Sequence, residues 1–248
     1  MIVEYHRPET LQSAVELLSR KNPHTVPLGG GTHLSHYRGD PIAVVDLRRL
    51  DLGKIERADG GLRIGSTVTL QTLMDSDETP AMFKEVLRFE ANYNLRQSAT
   101  IAGTVVTGDG QSAFLSALLA LDARVVLQPG GQKEGVSDWL AHRATRNEGV
   151  LITGFEVPYD VVVKYDFVGR SPQDLPIVSV CVAEWADGRM RVILGGEAVY
   201  PILAMDSKDM GVVELSIKIA CSQLLTSQNS DYILETGKTL ARRLLANN

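Results

Sequence analysis

Leu28-Gly29-Gly30-Gly31-Thr32-His33-Leu34 begins with the last residue of a short apolar run that starts at Thr25. An apolar run that ends in three glycines predicts a strand entering a tight loop. Because glycine has no Cβ, such a loop can turn its backbone N–H groups inward and let an anionic oxygen come close. Thr32 adds a hydroxyl donor. The loop is therefore a candidate phosphate-binding site, with a plain tight turn as the alternative.

This glycine loop differs from two common nucleotide-binding motifs. No Gly-Lys-Ser or Gly-Lys-Thr follows it, and it lacks the GxGxxG spacing that opens the helix of a dinucleotide-binding crossover. A second glycine-bearing segment, Thr100-Ile101-Ala102-Gly103-Thr104, is predicted as another loop. Two short turns with threonine donors can hold the two phosphates of one diphosphate from opposite sides. That arrangement suits a dinucleotide such as FAD.

Metal and disulfide chemistry find little support in the sequence. His33 and His36 are three residues apart beside the glycine loop, but no third ligand accompanies them. The two cysteines, Cys181 and Cys221, form no CxxC pair, which disfavours zinc, an iron–sulfur cluster held by this chain, and a disulfide scaffold. We predict no metal site and, from the reduced cysteines and the polar N-terminus, a cytoplasmic protein.

The composition is that of an ordinary globular protein. Of 248 residues, 44% are hydrophobic and 22% charged, and the formal net charge is −5. A negative net charge disfavours nucleic acid as a partner. No apolar run approaches the roughly 20 residues that span a bilayer.

Hydrophobic periodicity divides the chain near residue 160. Before this point helical and strand patterns alternate. Strands are predicted at residues 62–65, 124–127 and 150–157, and helices over residues 69–95, in two pieces broken at Pro80, and after Gly110. Residues 1–160 are therefore predicted as an α+β domain. After Pro158, two apolar runs flank Asp187-Gly188, which is a hairpin signal. Two helices are predicted after them, one from Val212 to Leu225 and one that starts near Asp231. Residues 161–248 are therefore predicted as a small sheet covered by helices.

At this point the sequence resembles the FAD-binding medium subunit of the xanthine dehydrogenase and carbon monoxide dehydrogenase family of molybdenum hydroxylases. The first loop is similar to the family's AGGTDL, and residues 95–104 are similar to IRNxGTIGGN. Further segments match in the same order: Tyr5-His6-Arg7-Pro8, Val44-Val45-Asp46-Leu47, Leu62-Arg63-Ile64-Gly65-Ser66, Leu118-Leu119-Ala120-Leu121-Asp122-Ala123 and Leu151-Ile152-Thr153-Gly154-Phe155-Glu156-Val157-Pro158. The order and spacing of these segments carry the resemblance.

The resemblance implies a fold and a cofactor. The implied fold is α+β: a PCMH-type FAD-binding domain of two subdomains over residues 1–160, then a C-terminal domain (161–248) with a three-stranded sheet and helices. The implied cofactor is FAD, whose flavin ring carries the redox chemistry, so no catalytic acid or base is assigned. The implied cofactor-binding residues are Leu28, Gly29, Gly30, Gly31, Thr32, His33, Leu34, Thr100, Ala102, Gly103, Thr104, Asp109 and Ile152.

The resemblance also implies a function and partners. The chain would pass electrons from iron–sulfur clusters of a small 2Fe-2S subunit, fed by a large molybdopterin-binding subunit, to an external acceptor. A stand-alone flavin oxidase or reductase is a further interpretation. It is disfavoured because the sequence shows no substrate domain and no motif for covalent attachment of a flavin.

Several residues depart from the family's pattern. His33, Thr104, Ala113 and Phe167 stand where the family has polar cofactor contacts. Loss of such contacts leaves open a different reading, a degenerate scaffold subunit of the same fold that binds no flavin.

Overall fold

The computed structural model describes residues 1–58, 60–146, 148–171, 174–222 and 230–246. In these ranges the strands are β1 (Ile2–His6), β2 (His24–Leu28), β3 (Ile42–Asp46), β4 (Ile55–Ala58), β5 (Gly61–Gly65), β6 (Arg124–Gln128), β7 (Gln132–Gly135), β8 (Leu151–Pro158), β9 (Val161–Val168), β10 (Val178–Trp185), β11 (Met190–Gly196) and β12 (Ile202–Ser207). The α-helices are α1 (Leu11–Leu18), α2 (Leu70–Asp75), α3 (Ala81–Glu90), α4 (Tyr93–Arg96), α5 (Ile101–Thr107), α6 (Ala113–Ala120), α7 (Val136–His142), α8 (Val213–Cys221) and α9 (Ser230–Ala246).

The chain forms two compact units that interleave along the sequence. The first contains Met1–Thr79, Ala91–Thr107 and Arg124–Val157, and the second contains Pro80–Glu90, Gly108–Ala123 and Pro158–Asn248. The mixed helix and strand content agrees with the predicted α+β class. The division into a FAD-binding domain over residues 1–160 and a C-terminal domain over residues 161–248 stays a prediction.

The first sheet of unit 1 is parallel throughout. Its order is β1-β3-β2, so β3 lies in the middle and all five of its residues are buried. Helix α1 begins after Thr10, whose hydroxyl accepts a hydrogen bond from the Ser13 N–H at 3.2 Å. Ala14 and Leu18 of α1 pack with Val45. The three strands therefore end at one common edge, and this edge carries the glycine loop.

The second sheet of unit 1 has the order β4-β5-β8-β6-β7. Alternate residues point into the core: Leu62 and Ile64 of β5, Val125 and Leu127 of β6, and Phe155 of β8 are at most 4% exposed. This period of two is what a sheet with one covered face requires. The predicted strands at residues 62–65, 124–127 and 150–157 are confirmed.

The sheet of unit 2 lies between helices on both faces. Val180 and Leu194 pack on one face with Ile217 of α8 and Leu240 of α9. On the other face a Cβ built on Gly195 would lie 3.4 Å from the Ser116 hydroxyl of α6. The predicted hairpin is confirmed, since β10 and β11 pair antiparallel across residues 186–189. Part of the predicted helix from Val212 to Leu225 lies outside the described residues.

This sheet has four strands, in the order β12-β11-β10-β9, where the resemblance implied three. The additional strand is an edge strand: Val161–Val168 pairs with β10 along its whole length. The run Val-Val-Val-Lys-Tyr-Asp-Phe-Val is rich in β-branched and aromatic residues, which favours a strand.

Glu90 at the end of α3 caps the start of α6. Its Oε2 atom accepts hydrogen bonds from the Phe114 N–H at 2.8 Å and the Ser112 hydroxyl at 2.9 Å. Burial raises the pKa of Glu90 above its ordinary value, because the loss of hydration outweighs these bonds. The ionised form is thus less favourable in the folded protein than in the unfolded chain.

Glu90→Gln is expected to change how stability depends on pH. Because the pKa of Glu90 is raised in the folded state, wild type loses stability relative to the variant as pH rises through that pKa, and regains it in acid. Urea unfolding of both proteins between pH 4 and pH 8, chosen to bracket the unfolded pKa of about 4.3, measures this difference. The exposed Glu85→Gln on the same helix is the matched control. A difference that does not vary with pH would contradict the expectation.

Candidate functional site

The glycine loop lies at the carboxyl end of β2. Gly29 follows the last strand residue, Leu28, and Gly31 has a φ of +73°. This left-handed conformation favours glycine because other residues would strain. The Ser35 N–H then donates to the Gly31 carbonyl at 2.9 Å, which closes the loop into the short turn at residues 34–36. The predicted strand and tight loop are confirmed.

The loop leaves its backbone donors free. Within the described part of the chain, no backbone N–H from Gly29 to Leu34 donates to a protein acceptor. The Thr32 hydroxyl likewise has no partner there. Consecutive unpaired N–H groups form a concavity that favours an anion. This arrangement fits a phosphate group in contact with the backbone.

The second predicted loop is the beginning of a helix. Residues 101–107 form α5, and Thr100 is its cap, since the Gly103 N–H donates to the Thr100 hydroxyl at 3.1 Å. The Ile101 N–H donates to the Val68 carbonyl at 3.0 Å. The loop prediction at 100–104 was therefore wrong. The N–H groups that start this helix already have partners within the protein.

The two glycine-bearing segments nevertheless meet. A Cβ built on Gly29 would lie 2.8 Å from the Thr100 hydroxyl oxygen. One built on Gly30 would overlap the carbonyl oxygen of Ser98. The first loop thus lies against the chain that enters α5, and Thr100 is 6% exposed between them. The first segment offers donors, whereas the second supports its shape.

The remaining predicted residues are distributed over both units. Thr104 is buried, and its hydroxyl donates to the Thr100 carbonyl at 3.1 Å within α5. His33 is exposed. Ile152 is buried in β8 opposite Leu127. Asp109 belongs to unit 2, where its carboxylate accepts a hydrogen bond from the Gln111 N–H at 2.9 Å.

Two departures from the family's pattern have structural roles in unit 2. Ala113 is the first residue of α6 and is buried. The Phe167 ring packs edge-on against Phe89, with ring centroids 5.4 Å apart, and also contacts Tyr165. An aromatic residue at this position is therefore explained by packing.

The sequence reasoning did not assign Ser98 or Ser66 to the site. The Ser98 backbone oxygen restricts Gly30 to glycine. Ser66 joins β8 to α5, because its N–H donates to the Thr153 carbonyl at 3.1 Å and its own carbonyl accepts from the Ala102 N–H at 3.3 Å. Both roles are played by backbone atoms, which leave no signature in the residue type.

A groove of about 260 Å³ lies on the five-stranded sheet. Both cations that line it are paired: Lys54 forms an ion pair with Asp51, and the Arg63 Nε lies 3.4 Å from the Glu156 carboxylate. None of the predicted cofactor-binding residues lines it. Because its charges are compensated, the groove offers no free cation to a phosphate.

Two further properties were searched over the described residues. No cluster of three or more histidine, cysteine, aspartate or glutamate side chains there is arranged to hold a metal ion. No helix in the same ranges has the length and hydropathy to cross a bilayer.

Sequence comparisons identify related proteins. A family model described as the FAD binding domain in molybdopterin dehydrogenase matches residues 1–160. YgfM of Escherichia coli K12, an uncharacterised protein, is 32% identical over 202 residues, which cover 80% of this chain and 76% of YgfM. The carbon monoxide dehydrogenase medium chain of Afipia carboxidovorans is 28% identical over 167 residues, which cover 62% of this chain and 58% of that one.

Comparison with solved structures supports the fold. A chain of the cyanide-inactivated Cu,Mo-CO dehydrogenase matches with a TM-score of 0.80 at 21% identity, over 98% of this chain and 96% of that chain. A chain of quinoline 2-oxidoreductase from Pseudomonas putida 86 matches with a TM-score of 0.80 at 19% identity, over 98% and 95%. The α+β fold implied by the resemblance is confirmed.

The family model covers well over half of the chain, and the glycine loop that it includes has the open backbone donors of a phosphate site. The resemblance noted in the sequence and the choice of FAD as cofactor are confirmed by this match. The chain belongs to the family of FAD binding domains in molybdopterin dehydrogenases.

Proposed function

We propose that the chain is the FAD-binding electron-transfer subunit of a molybdopterin-dependent hydroxylase or dehydrogenase, and thus part of an oxidoreductase. The observation that carries this is the run of unpaired backbone N–H groups at residues 29–34, within a chain of the FAD-binding family. Its relatives include a carbon monoxide dehydrogenase medium chain.

The chain's own residues bind and orient the cofactor. The N–H groups of Gly29, Gly30 and Gly31 donate to the diphosphate, and Thr32 adds its hydroxyl. Thr100 supports the loop through its contact with Gly29. The other residues of unit 1 implied by the resemblance, Leu28, His33, Leu34, Ala102, Gly103, Thr104 and Ile152, complete the proposed set.

Bound FAD supplies the electron transfer between donor and acceptor, and the protein supplies binding, orientation and electrostatics. No side chain is assigned as an acid or base. The proposed partners are a large molybdopterin-binding subunit and a small 2Fe-2S subunit, which deliver electrons for an external acceptor.

The scaffold alternative is not favoured. It was motivated by departures at His33, Thr104, Ala113 and Phe167, but the main donors of the glycine loop are backbone atoms, which no side-chain change removes. Thr104 donates a hydrogen bond within α5, Ala113 is buried, and Phe167 packs against Phe89, so each has a structural role without a flavin.

We expect FAD to bind and stabilise the purified chain. A ligand that binds only the folded state at about 100 times its Kd contributes about 2.7 kcal/mol, so the melting temperature should rise with FAD concentration. The protein should be yellow and hold one FAD per chain. A colourless protein whose melting temperature does not change with FAD concentration would support the alternative, a scaffold subunit that binds no flavin. Co-purification with molybdopterin and iron–sulfur subunits tests the complex.

A further inference from the structure

A buried carboxylate accepts hydrogen bonds from two arginines at the edge of the parallel sheet. The Asp46 side chain is 1% exposed. It accepts hydrogen bonds from the Arg7 Nε at 3.0 Å, from the Arg48 Nε at 3.0 Å and from the Arg48 backbone N–H at 2.9 Å. The Tyr5 hydroxyl donates to the same carboxylate. Tyr5 in turn accepts from Arg7 at 2.8 Å and Arg48 at 3.1 Å. We call these four residues the Asp46 cluster.

The cluster keeps a net positive charge. Two guanidinium groups face one carboxylate, and the tyrosine is neutral. Arg49, the next cation along the chain, is neutralised by Glu9 at 2.6 Å. The Nη1 groups of Arg7 and Arg48 donate to no acceptor in the described ranges. Arg48 is 69% exposed, so its free donors reach solvent.

The cluster lies at the same sheet edge as the glycine loop. All three strands run parallel, with His6 opposite Val45 and Leu28 opposite Asp46, so they end at one level. β3 neighbours β2 directly, at the usual spacing of about 4.8 Å between strands. Arg48 therefore starts one strand away from Gly29, and ligands of parallel sheets bind beyond this carboxyl edge.

We propose that Arg48, supported by Arg7, extends the phosphate site and makes the protein select a diphosphate-bearing flavin over a flavin without phosphate. This inference rests on the proposed function. The backbone N–H groups at residues 29–34 would bind the diphosphate, and the arginines would supply the compensating charge. Asp46 and Tyr5 are positioning residues, because they hold both guanidinium groups at the sheet edge.

The test compares FAD with riboflavin, which lacks phosphate, on wild type and Arg48→Gln. A charge-assisted hydrogen bond accounts for about a tenfold to hundredfold change in affinity. We expect Arg48→Gln to raise the Kd for FAD by such a factor and to leave the Kd for riboflavin unchanged. Arg7→Gln should act in the same direction with a smaller effect. The FAD Kd of wild type should rise more steeply with salt than that of Arg48→Gln.

The matched control is Arg49→Gln, which removes the same charge one residue away from an exposed ion pair. Its FAD Kd should change by less than about threefold. Melting without flavin shows that the variants are folded. An unchanged FAD Kd in Arg48→Gln, or equal losses for FAD and riboflavin, would overturn the inference while the proposed function stands. Wild type that fails to bind FAD would instead overturn the proposed function.

Discussion

Gly30→Ala is expected to weaken FAD binding more than any other single change in the loop. A Cβ at this position would overlap the Ser98 carbonyl oxygen, which is backbone and cannot rotate away. The loop must therefore shift, which displaces the backbone N–H groups that we propose bind the diphosphate. Such overpacking costs about 1–3 kcal/mol of stability. A loss of that size in binding raises the FAD Kd by about fivefold to a hundredfold.

The control for Gly30→Ala is Gly53→Ala in the same unit. A Cβ on Gly53 would lie 3.6 Å from the Thr67 hydroxyl, an ordinary contact, and its φ lies outside the left-handed region. We expect this variant to bind FAD as wild type does. Equilibrium titration with FAD and thermal melting measure both effects. If Gly30→Ala bound FAD with wild-type affinity, the glycine loop would not be the phosphate site.

Local sequence was sufficient to predict the first loop. An apolar strand that ends in three glycines defines both the strand end and the conformation after it, because no other residue takes a φ of +73° at Gly31 so readily. The position of the turn follows from residues 28–34, although Ser98 and Thr100 support its shape. The close approach of Ser98 and Thr100 to the loop, by contrast, could not be predicted from the local sequence.

The second segment could not be predicted in the same way. Thr100-Ile101-Ala102-Gly103-Thr104 contains a glycine and β-branched residues, which suggested a loop. The helix forms because Thr100 caps it and because Val68 and Ser66 accept its first N–H groups. Those acceptors are backbone carbonyls more than 30 positions earlier in the sequence, so a local pattern does not reveal them.

The assignment of segments to the two units could not be predicted from the sequence either. Residues 80–90 and 108–123 lie within the first 160 residues but belong to unit 2. Their apolar faces predicted helices correctly, since Phe114 and Leu118 are fully buried on α6. A periodic pattern shows that a face is covered, but it does not identify the sheet that covers it.

Asp46→Asn is expected to be strongly destabilising. Burial alone would raise the pKa of Asp46, but the hydrogen bonds from Arg48 and Tyr5 outweigh burial and hold the pKa well below its ordinary value. An asparagine would turn an NH₂ group toward these donors and leave the guanidinium groups without a counter-charge. Because both arginines are partly exposed, we expect a loss of about 2–3 kcal/mol, less than for a fully buried pair.

The pH dependence separates this charge effect from a loss of packing. Since the pKa of Asp46 is depressed in the folded state, its contribution is complete above the unfolded pKa of about 3.9 and is lost as pH falls toward the folded pKa. The difference in unfolding free energy between wild type and Asp46→Asn should therefore shrink in acid. Urea unfolding in a Trp185→Phe background lets Trp139 report on unit 1 alone. Asp51→Asn, at an exposed carboxylate, should cost less than about 1 kcal/mol. If the difference in unfolding free energy between wild type and Asp46→Asn stayed constant from pH 7 to pH 3, Asp46 would stabilise the sheet edge by its shape and not by its charge. The position of Arg7 and Arg48 beside it would then need another explanation.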